Sequence, residues 1–160
     1  MAVASKSIYI AAPPARVFAY LADVERHVEW SGSLSFGLER VERASPGPLG
    51  AGSVFKSTGR LSSRAGVEDT STVTQLEPGR RLAWETVSEG PRQRHVFLWC
   101  YTLGPEGQGT RLTYILEARR FRPMPLHLWF PPLLWMVDRG VFGREMEAGL
   151  DKIKKVLQGE

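Results

Sequence analysis

The spacing of apolar side chains near the N-terminus predicts a short strand followed by a broken helix. Residues 7–11 read SIYIA and alternate between two faces, which indicates a strand. Proline is tolerated in the first turn of a helix, so Pro13 and Pro14 favour a helix start. Apolar residues then recur at helical spacing, and we expect this helix to break near Asp23 and to resume up to Trp30.

The middle of the chain has the period of two that is typical of strands. Apolar and aromatic residues alternate with polar ones, and turn sequences such as EPGR and GPEGQG separate successive runs. Runs joined in this way indicate antiparallel hairpins with one covered face. About six strands are therefore expected, at residues 33–43, 53–61, 67–76, 81–88, 95–103 and 110–118.

The C-terminal region predicts one long amphipathic helix over residues 132–157. Apolar residues recur there at spacings of three, four and seven, which places them on a single stripe. Lysines in the last turns suit the negative end of the helix dipole, and Gly159 is a natural stop. The stripe consists of Trp135, Phe142, Met146, Leu150, Ile153 and Leu157.

Before this helix lies an uncharged segment, PMPLHLWFPPLLWMV, over residues 123–137. A membrane-spanning helix needs about 20 apolar residues, whereas Arg122 and Asp138 close this segment. Its four prolines would also interrupt a helix. We therefore predict that the segment does not cross a membrane but packs over the sheet edge, with Trp129 and Phe130 partly at an entrance to the interior.

Composition and charge narrow the classes of function. A chain of 160 residues with 42% hydrophobic and 24% charged content is typical of one soluble globular domain, expected over residues 1–160. The net charge is only +4 and no long basic run occurs, which disfavours a nucleic-acid partner. One cysteine, Cys100, excludes an internal disulfide, and the N-terminus lacks the apolar core of a signal peptide. We therefore expect a cytoplasmic protein.

The inward face of the predicted sheet is rich in aromatic residues. Six large rings are assigned to it by strand parity: Phe55, Trp84, Phe97, Trp99, Tyr101 and Tyr114. A strongly curved sheet wrapped around one long helix buries both apolar faces, and its interior need not be filled completely. Aromatic side chains fill cores but also line pockets for flat or apolar ligands, so that both interpretations remain open.

Several short motifs follow one another in a characteristic order. They are Ala12-Pro13, Val17-Phe18, Leu21, Asp23 and Trp30, and then residues 76–84, 109–114 and 149–157. In this order they resemble the SRPBCC superfamily, the START-like or Bet v 1-like helix-grip proteins, and within it the polyketide cyclase/dehydrase-like members. The resemblance covers nearly the whole chain. It implies an α+β fold, in which a curved antiparallel sheet of about seven strands wraps around a long C-terminal helix, with two short helices after the first strand.

The resemblance also implies an internal hydrophobic cavity between the sheet and the last helix. We therefore expect the protein to bind a hydrophobic small molecule, such as a lipid, a quinone or an aromatic polyketide, as a carrier or sequestering protein without a cofactor. The expected ligand-binding residues are Phe55, Trp84, Phe97, Trp99, Tyr101, Tyr114, Trp129, Trp135, Phe142 and Met146.

Two other functions remain open, because this fold hosts many unrelated activities. A cyclase or dehydratase acting in the same cavity needs groups that polarise a carbonyl, for which Tyr101, Tyr114 and His95 are candidates. A membrane-surface chaperone for a lipid or quinone would use Trp129 and the arginines upstream of it, since tryptophan beside arginine suits an anionic interface.

The remaining titratable residues form no recognisable catalytic set. The histidines are too scattered for a zinc site, and no metal is expected: they are His27, His95 and His127. His27 is predicted to be exposed on the short helix, whereas His95 shares the inward parity of its strand. Parity places Glu117 outward, which leaves Glu68 and Asp69 as candidate carboxylate bases.

Overall fold

A computed structural model of the protein describes residues 2–31, 36–61, 64–90, 93–121 and 140–159. Within these ranges the order of elements is the predicted one, from a first strand through short helices and six further strands to a C-terminal helix. Their bounds are β1 Ala2–Ile10, α1 Pro14–Ala22, a 3-10 turn Val24–Arg26, α2 His27–Trp30, β2 Phe36–Arg43, β3 Val54–Leu61, β4 Arg64–Glu77, β5 Arg81–Gly90, β6 Gln93–Glu106, β7 Gly109–Phe121 and α3 Val141–Gln158.

The seven strands form one antiparallel sheet in the order β1-β7-β6-β5-β4-β3-β2. Strands that are consecutive in the chain are neighbours, except that β1 pairs with β7 and places Ile10 opposite Thr110. The sheet is curled into a half-barrel, and the α+β helix-grip architecture is confirmed.

Several strands are longer than the alternation of apolar residues predicts. β1 begins at Ala2 rather than near Ser7, because residues 2–6 also complete a backbone ladder with β7 and Ala4 is buried in the core. β6 and β7 likewise extend into the predicted hairpin, whose turn contains Gly107 at a φ of 56°. Backbone pairing therefore continues beyond the hydrophobic pattern at these ends.

The turn between β1 and α1 is hydrogen-bonded to the start of β7. The Thr110 hydroxyl donates a hydrogen bond of 2.7 Å to the carbonyl oxygen of Ala12. Beside it, a Cβ atom at Gly109 would lie only 2.3 Å from the carbonyl oxygen of Ile10, so that only glycine fits there. The broken helix is confirmed as well, since α1 ends before Asp23 and the chain becomes helical again up to Trp30.

Helix α3 packs its apolar stripe against the rest of the core. Within the described part of the helix, Phe142 of the stripe is half-buried, and the other four stripe residues are buried: Met146, Leu150, Ile153 and Leu157. Close approach between α3 and α2 occurs at Gly149, where a Cβ atom would lie 3.3 Å from the carbonyl oxygen of Trp30. Gly159 ends the helix as predicted, in the left-handed conformation with its N–H bonded to the carbonyl of Lys155.

Part of the predicted C-terminal region lies outside the described residues. The described helix begins at Val141, and Gly140 before it is not helical, so the prediction of a helix that continues through residue 140 is wrong. The predicted helical residues 132–139 and the predicted packing of residues 123–137 lie outside the described residues and are not tested. Trp129, Phe130 and Trp135 belong to this part of the chain. Among the helices that the structure describes, none is both long and apolar enough to cross a membrane.

Candidate functional site

Four aromatic side chains form a continuous stack on the concave face of the sheet. Tyr101 on β6 lies opposite Tyr114 on β7, and their rings are 4.4 Å apart at 16°. Trp84 stacks on Tyr101 at 5.5 Å, and Trp99 stacks on Tyr114 at 6.0 Å. The stack exists because alternate residues on three neighbouring strands face the same side, where cross-strand side chains come into contact.

The second short helix adds a buried histidine to this aromatic face. The ring of His27 lies 4.7 Å from Trp30, 5.2 Å from Trp84 and 6.1 Å from Phe55. Its Nε2 donates a hydrogen bond of 2.8 Å to the carbonyl oxygen of Leu21. Burial lowers the pKa of this histidine to about 4, so the ring is neutral at physiological pH.

The predicted exposure of His27 is therefore wrong, since only 2% of its surface is accessible. The physical reason is the helical spacing of Val24, His27 and Trp30, which places all three on the side that faces the sheet. Val28, one position further, is instead exposed. This spacing was visible in the sequence and would have identified the buried face.

A cavity of about 70 Å³ opens between α2 and the strands of this face. Its volume suits a few water molecules or a small head group, and is well below the roughly 300 Å³ of a typical whole-ligand pocket. The lining residues are His27, Trp30, Ser31, Leu38, Phe55, Ser57, Asp69, Ser71, Trp84, Thr86, Trp99 and Tyr114. The cavity thus has an aromatic wall and a polar wall.

The polar wall comes from three neighbouring strands. Ser57 on β3 is opposite Asp69 on β4, and the hydroxyl groups of Ser71 and Thr86 are hydrogen-bonded at 2.8 Å. The Ser88 hydroxyl, opposite Asp69 on β5, is hydrogen-bonded to the Asp69 carboxyl group. Burial nevertheless raises the pKa of Asp69, because it disfavours the charged form.

Asp69 was predicted only as a candidate carboxylate base, without a position in the interior. Asp69 and Ser71 precede the buried Val73 at intervals of two on the same strand, and this parity places all three on the concave face. The signal was present, but a polar run on a predicted strand is more often its solvent-facing side. Glu68 is exposed and has the opposite parity.

The structure brings most of the predicted ligand-binding residues together. Four of them line the cavity directly: Phe55, Trp84, Trp99 and Tyr114. Tyr101 lies behind them with no accessible surface, and Met146 is buried in the core. Phe97 and Phe142 are half-buried, with their rings 6.0 Å apart, and Phe97 lies 5.8 Å from Trp99. Trp129 and Trp135 lie outside the described residues.

The candidate catalytic groups have different surroundings. Burial raises the pKa values of Tyr101 and Tyr114, which keeps both phenols protonated and unsuited to act as bases at neutral pH. His95 is half-buried beside Phe97, and burial lowers its pKa. Glu117 pairs with Arg119 at 3.1 Å and does not line the cavity.

Within the described ranges, no group of three or more histidine, cysteine or acidic side chains is arranged to hold a metal ion. The cavity presents hydroxyl groups, one carboxyl group, the His27 ring and aromatic faces. These groups bind by apolar contact and by hydrogen bonds to polar atoms of an occupant.

Comparison with known proteins assigns the chain to a family by sequence and supports the fold by structure. The family model described as polyketide cyclase / dehydrase and lipid transport matches residues 1–158. No curated protein matches the sequence.

Solved structures of similar fold come from several bacteria. A protein from Chromobacterium violaceum is 15% identical with a TM-score of 0.67, over 97% of this chain and 96% of that one. A protein from Rhodobacter sphaeroides is 17% identical with a TM-score of 0.68, over 99% and 93% of the two chains. One from Mycobacterium smegmatis is 15% identical with a TM-score of 0.68, over 98% and 91%. Identities this low support the fold alone.

Proposed function

This chain belongs to the polyketide cyclase / dehydrase and lipid transport family, and we propose that it binds a hydrophobic small molecule between the sheet and α3, as a carrier or sequestering protein. The observation that carries the proposal is the cavity of about 70 Å³ between α2 and the aromatic rings of β3, β5, β6 and β7. Its described lining includes no residue of α3, and the proposed site reaches α3 through the contact between Phe97 and Phe142.

A row of half-buried aromatic side chains continues from the cavity along the sheet and is the surface that the body of such a ligand would cover. Trp99 lines the cavity and is in ring contact with Phe97, which in turn contacts Phe142 on α3. All three side chains are half-buried, in contrast to the fully buried Tyr101. Covering such surface gives roughly 25 cal/mol per Å² of apolar area removed from water, which favours a flat or apolar occupant.

The proposal is tested first by native mass spectrometry of the gently purified protein, followed by organic extraction. We expect a discrete additional mass that is removed by extraction and is identified as a lipid, a quinone or an aromatic polyketide. A clean protein mass, together with no binding to representatives of these three classes in calorimetry, would contradict the proposal.

A matched pair of variants locates the site of binding. Trp99→Leu removes an aromatic face from the cavity wall and should weaken binding by about fivefold, because aromatic pairs contribute on the order of 1 kcal/mol beyond their area. Val28→Ala changes an exposed side chain of α2 and should leave the affinity unchanged. Equal affinities for both variants would place the ligand elsewhere.

One observation favours a cyclase or dehydratase as the second candidate function. The Asp69 carboxyl group lies in the cavity wall, and burial raises its pKa, which is the direction expected of a carboxyl group that takes part in proton transfer. If the compound recovered from the protein is a substrate, Asp69→Asn should abolish its turnover at saturating concentration. Absence of any product with the wild-type protein would leave binding as the function.

A further inference from the structure

Two residues of the cavity wall carry buried polar atoms of opposite kind. The Nε1 atom of Trp30 is a hydrogen-bond donor, and the Oδ1 atom of Asp69 is an acceptor. Both atoms are inaccessible to solvent, and neither has a hydrogen-bond partner among the residues that the structure describes. Buried polar groups in folded proteins are nearly always paired, which makes two exceptions in one cavity wall a sign of an external partner.

The surroundings of these two atoms restrict the chemistry of that partner. No lysine or arginine occurs among the described lining residues, and the single histidine, His27, is neutral and already bonded to Leu21. The hydroxyl-bearing residues Ser31, Ser57, Ser71 and Thr86 also line the cavity. An anionic head group would therefore meet a carboxyl group without a compensating cation.

We propose that the cavity takes the hydroxyl-bearing end of the ligand, which accepts a hydrogen bond from Trp30 and donates one to Asp69. This inference rests on the proposed binding function and specifies the polar group of its ligand. The apolar body of the ligand extends from this end toward Trp99 and Phe97. The ligand is thus an uncharged alcohol or phenol with an aromatic or aliphatic body.

A hydroxyl group fits this wall better than an ammonium group does. An ammonium group has donors only, so that the Nε1–H of Trp30 would stay without an acceptor. The raised pKa of Asp69 acts in the same direction, because burial disfavours the charged carboxylate that an ammonium group would need as its partner. A hydroxyl group both donates and accepts, and therefore bonds to the charged and to the neutral form of Asp69.

Four probes of equal body and different head group test the inference in calorimetric titrations at neutral pH: para-propylphenol, para-propylanisole, para-propylbenzylamine and para-propylbenzoate. We expect the phenol to bind about tenfold or more tightly than the anisole, which lacks the donor, since a hydrogen bond to a charged group contributes a factor of at least this size. The benzoate should bind weakest.

Three variants relate this preference to the two residues. Asp69→Asn keeps the size of the side chain and should reduce the ratio of phenol to anisole affinity to less than about threefold. Glu68→Gln removes the same charge from the exposed neighbouring position and should keep the wild-type ratio. Trp30→Phe removes the donor and should weaken phenol and anisole by similar factors, because both accept a hydrogen bond.

The results of these titrations distinguish failure of the hydroxyl assignment from failure of the proposed binding function. Equal binding of phenol and anisole by the wild type, or an unchanged ratio in Asp69→Asn, overturns the hydroxyl assignment while leaving the proposed function intact. If the benzylamine binds most tightly, the hydroxyl assignment is overturned and the head group is cationic. Absence of binding by all four probes and by lipid, quinone and polyketide representatives overturns the proposed function as well. If Asp69→Asn fails to fold in circular dichroism, the wild-type ratio and Trp30→Phe decide the question.

Discussion

A neutral histidine ring lies where α2 meets the aromatic face of the sheet. His27 is buried against Trp30, Trp84 and Phe55 and donates its Nε2 proton to Leu21. The folded protein holds the pKa of His27 at about 4, whereas the unfolded chain has the ordinary value of 6.5. The unfolded state consequently binds a proton at a higher pH than the folded state does.

This difference in pKa predicts a loss of stability in mild acid. The contribution of the neutral His27 ring to the free energy of unfolding is complete above pH 6.5, decreases as the pH falls, and is lost near pH 4. Its upper bound is about 3 kcal/mol. Urea unfolding across this pH range measures it. His27→Gln keeps a donor for the Leu21 carbonyl without a titrating ring, and its stability should decrease less over the same range. Parallel curves for the two proteins would contradict this account.

At the scale of elements, the contact between β1 and β7 depends on a position without a side chain. Gly109 begins β7, and a Cβ atom there would lie 2.3 Å from the Ile10 carbonyl oxygen and 2.7 Å from the Tyr9 hydroxyl. The neighbouring bond from Thr110 to Ala12 holds the same corner. The joint between the first and last strands is therefore tightly packed at this end of the sheet.

Gly109→Ala is expected to lower the free energy of unfolding by about 1–3 kcal/mol, because the new methyl group forces β1 away from β7. Gly104→Ala is the matched control, since a Cβ atom at Gly104 on β6 would meet nothing within 4 Å. Chemical denaturation of both variants measures the difference. An equal effect of the two substitutions would show that the close approach at Gly109 relaxes without cost.

At the scale of the whole molecule, we expect stability and the proposed ligand binding to depend on different parts of α3. The C-terminal half of the helix contributes fully buried residues such as Ile153 to the core. The first turn contributes Phe142, which is half-buried against Phe97 on the way to the cavity. Residues 142 and 153 are separated by about 16 Å along a helix with a rise of 1.5 Å per residue.

Substitutions in the two halves should therefore have opposite consequences. Ile153→Ala is expected to cost about 2–5 kcal/mol of stability but to leave the affinity for para-propylphenol within about twofold. Phe142→Leu is expected to cost less than about 1.5 kcal/mol and to weaken binding more than Ile153→Ala does. Thermal unfolding and calorimetric titration of both variants measure the two effects. Proportional losses of stability and affinity in both variants would contradict the separation.

The sequence by itself determined the order of elements and most of the aromatic face. Alternation on β5, β6 and β7 is local information, since neighbouring side chains on a strand point to opposite faces whatever the strand pairs with. It placed Trp84, Trp99 and Tyr114 on the concave side, where the structure finds them. The stop of α3 at Gly159 is equally local, because it depends on one residue's backbone conformation.

Only the tertiary structure decided which residues meet across the interior. The pairing of β1 with β7 joins strands from opposite ends of the chain, and no local pattern specifies it. The packing of α2 over β3 and β4 buries His27. The same packing brings Trp30 and Asp69 into the lining of one cavity. A polar residue on a strand becomes a cavity group or a surface group according to what covers it. Coverage is a property of the packed molecule, and the local sequence does not contain it.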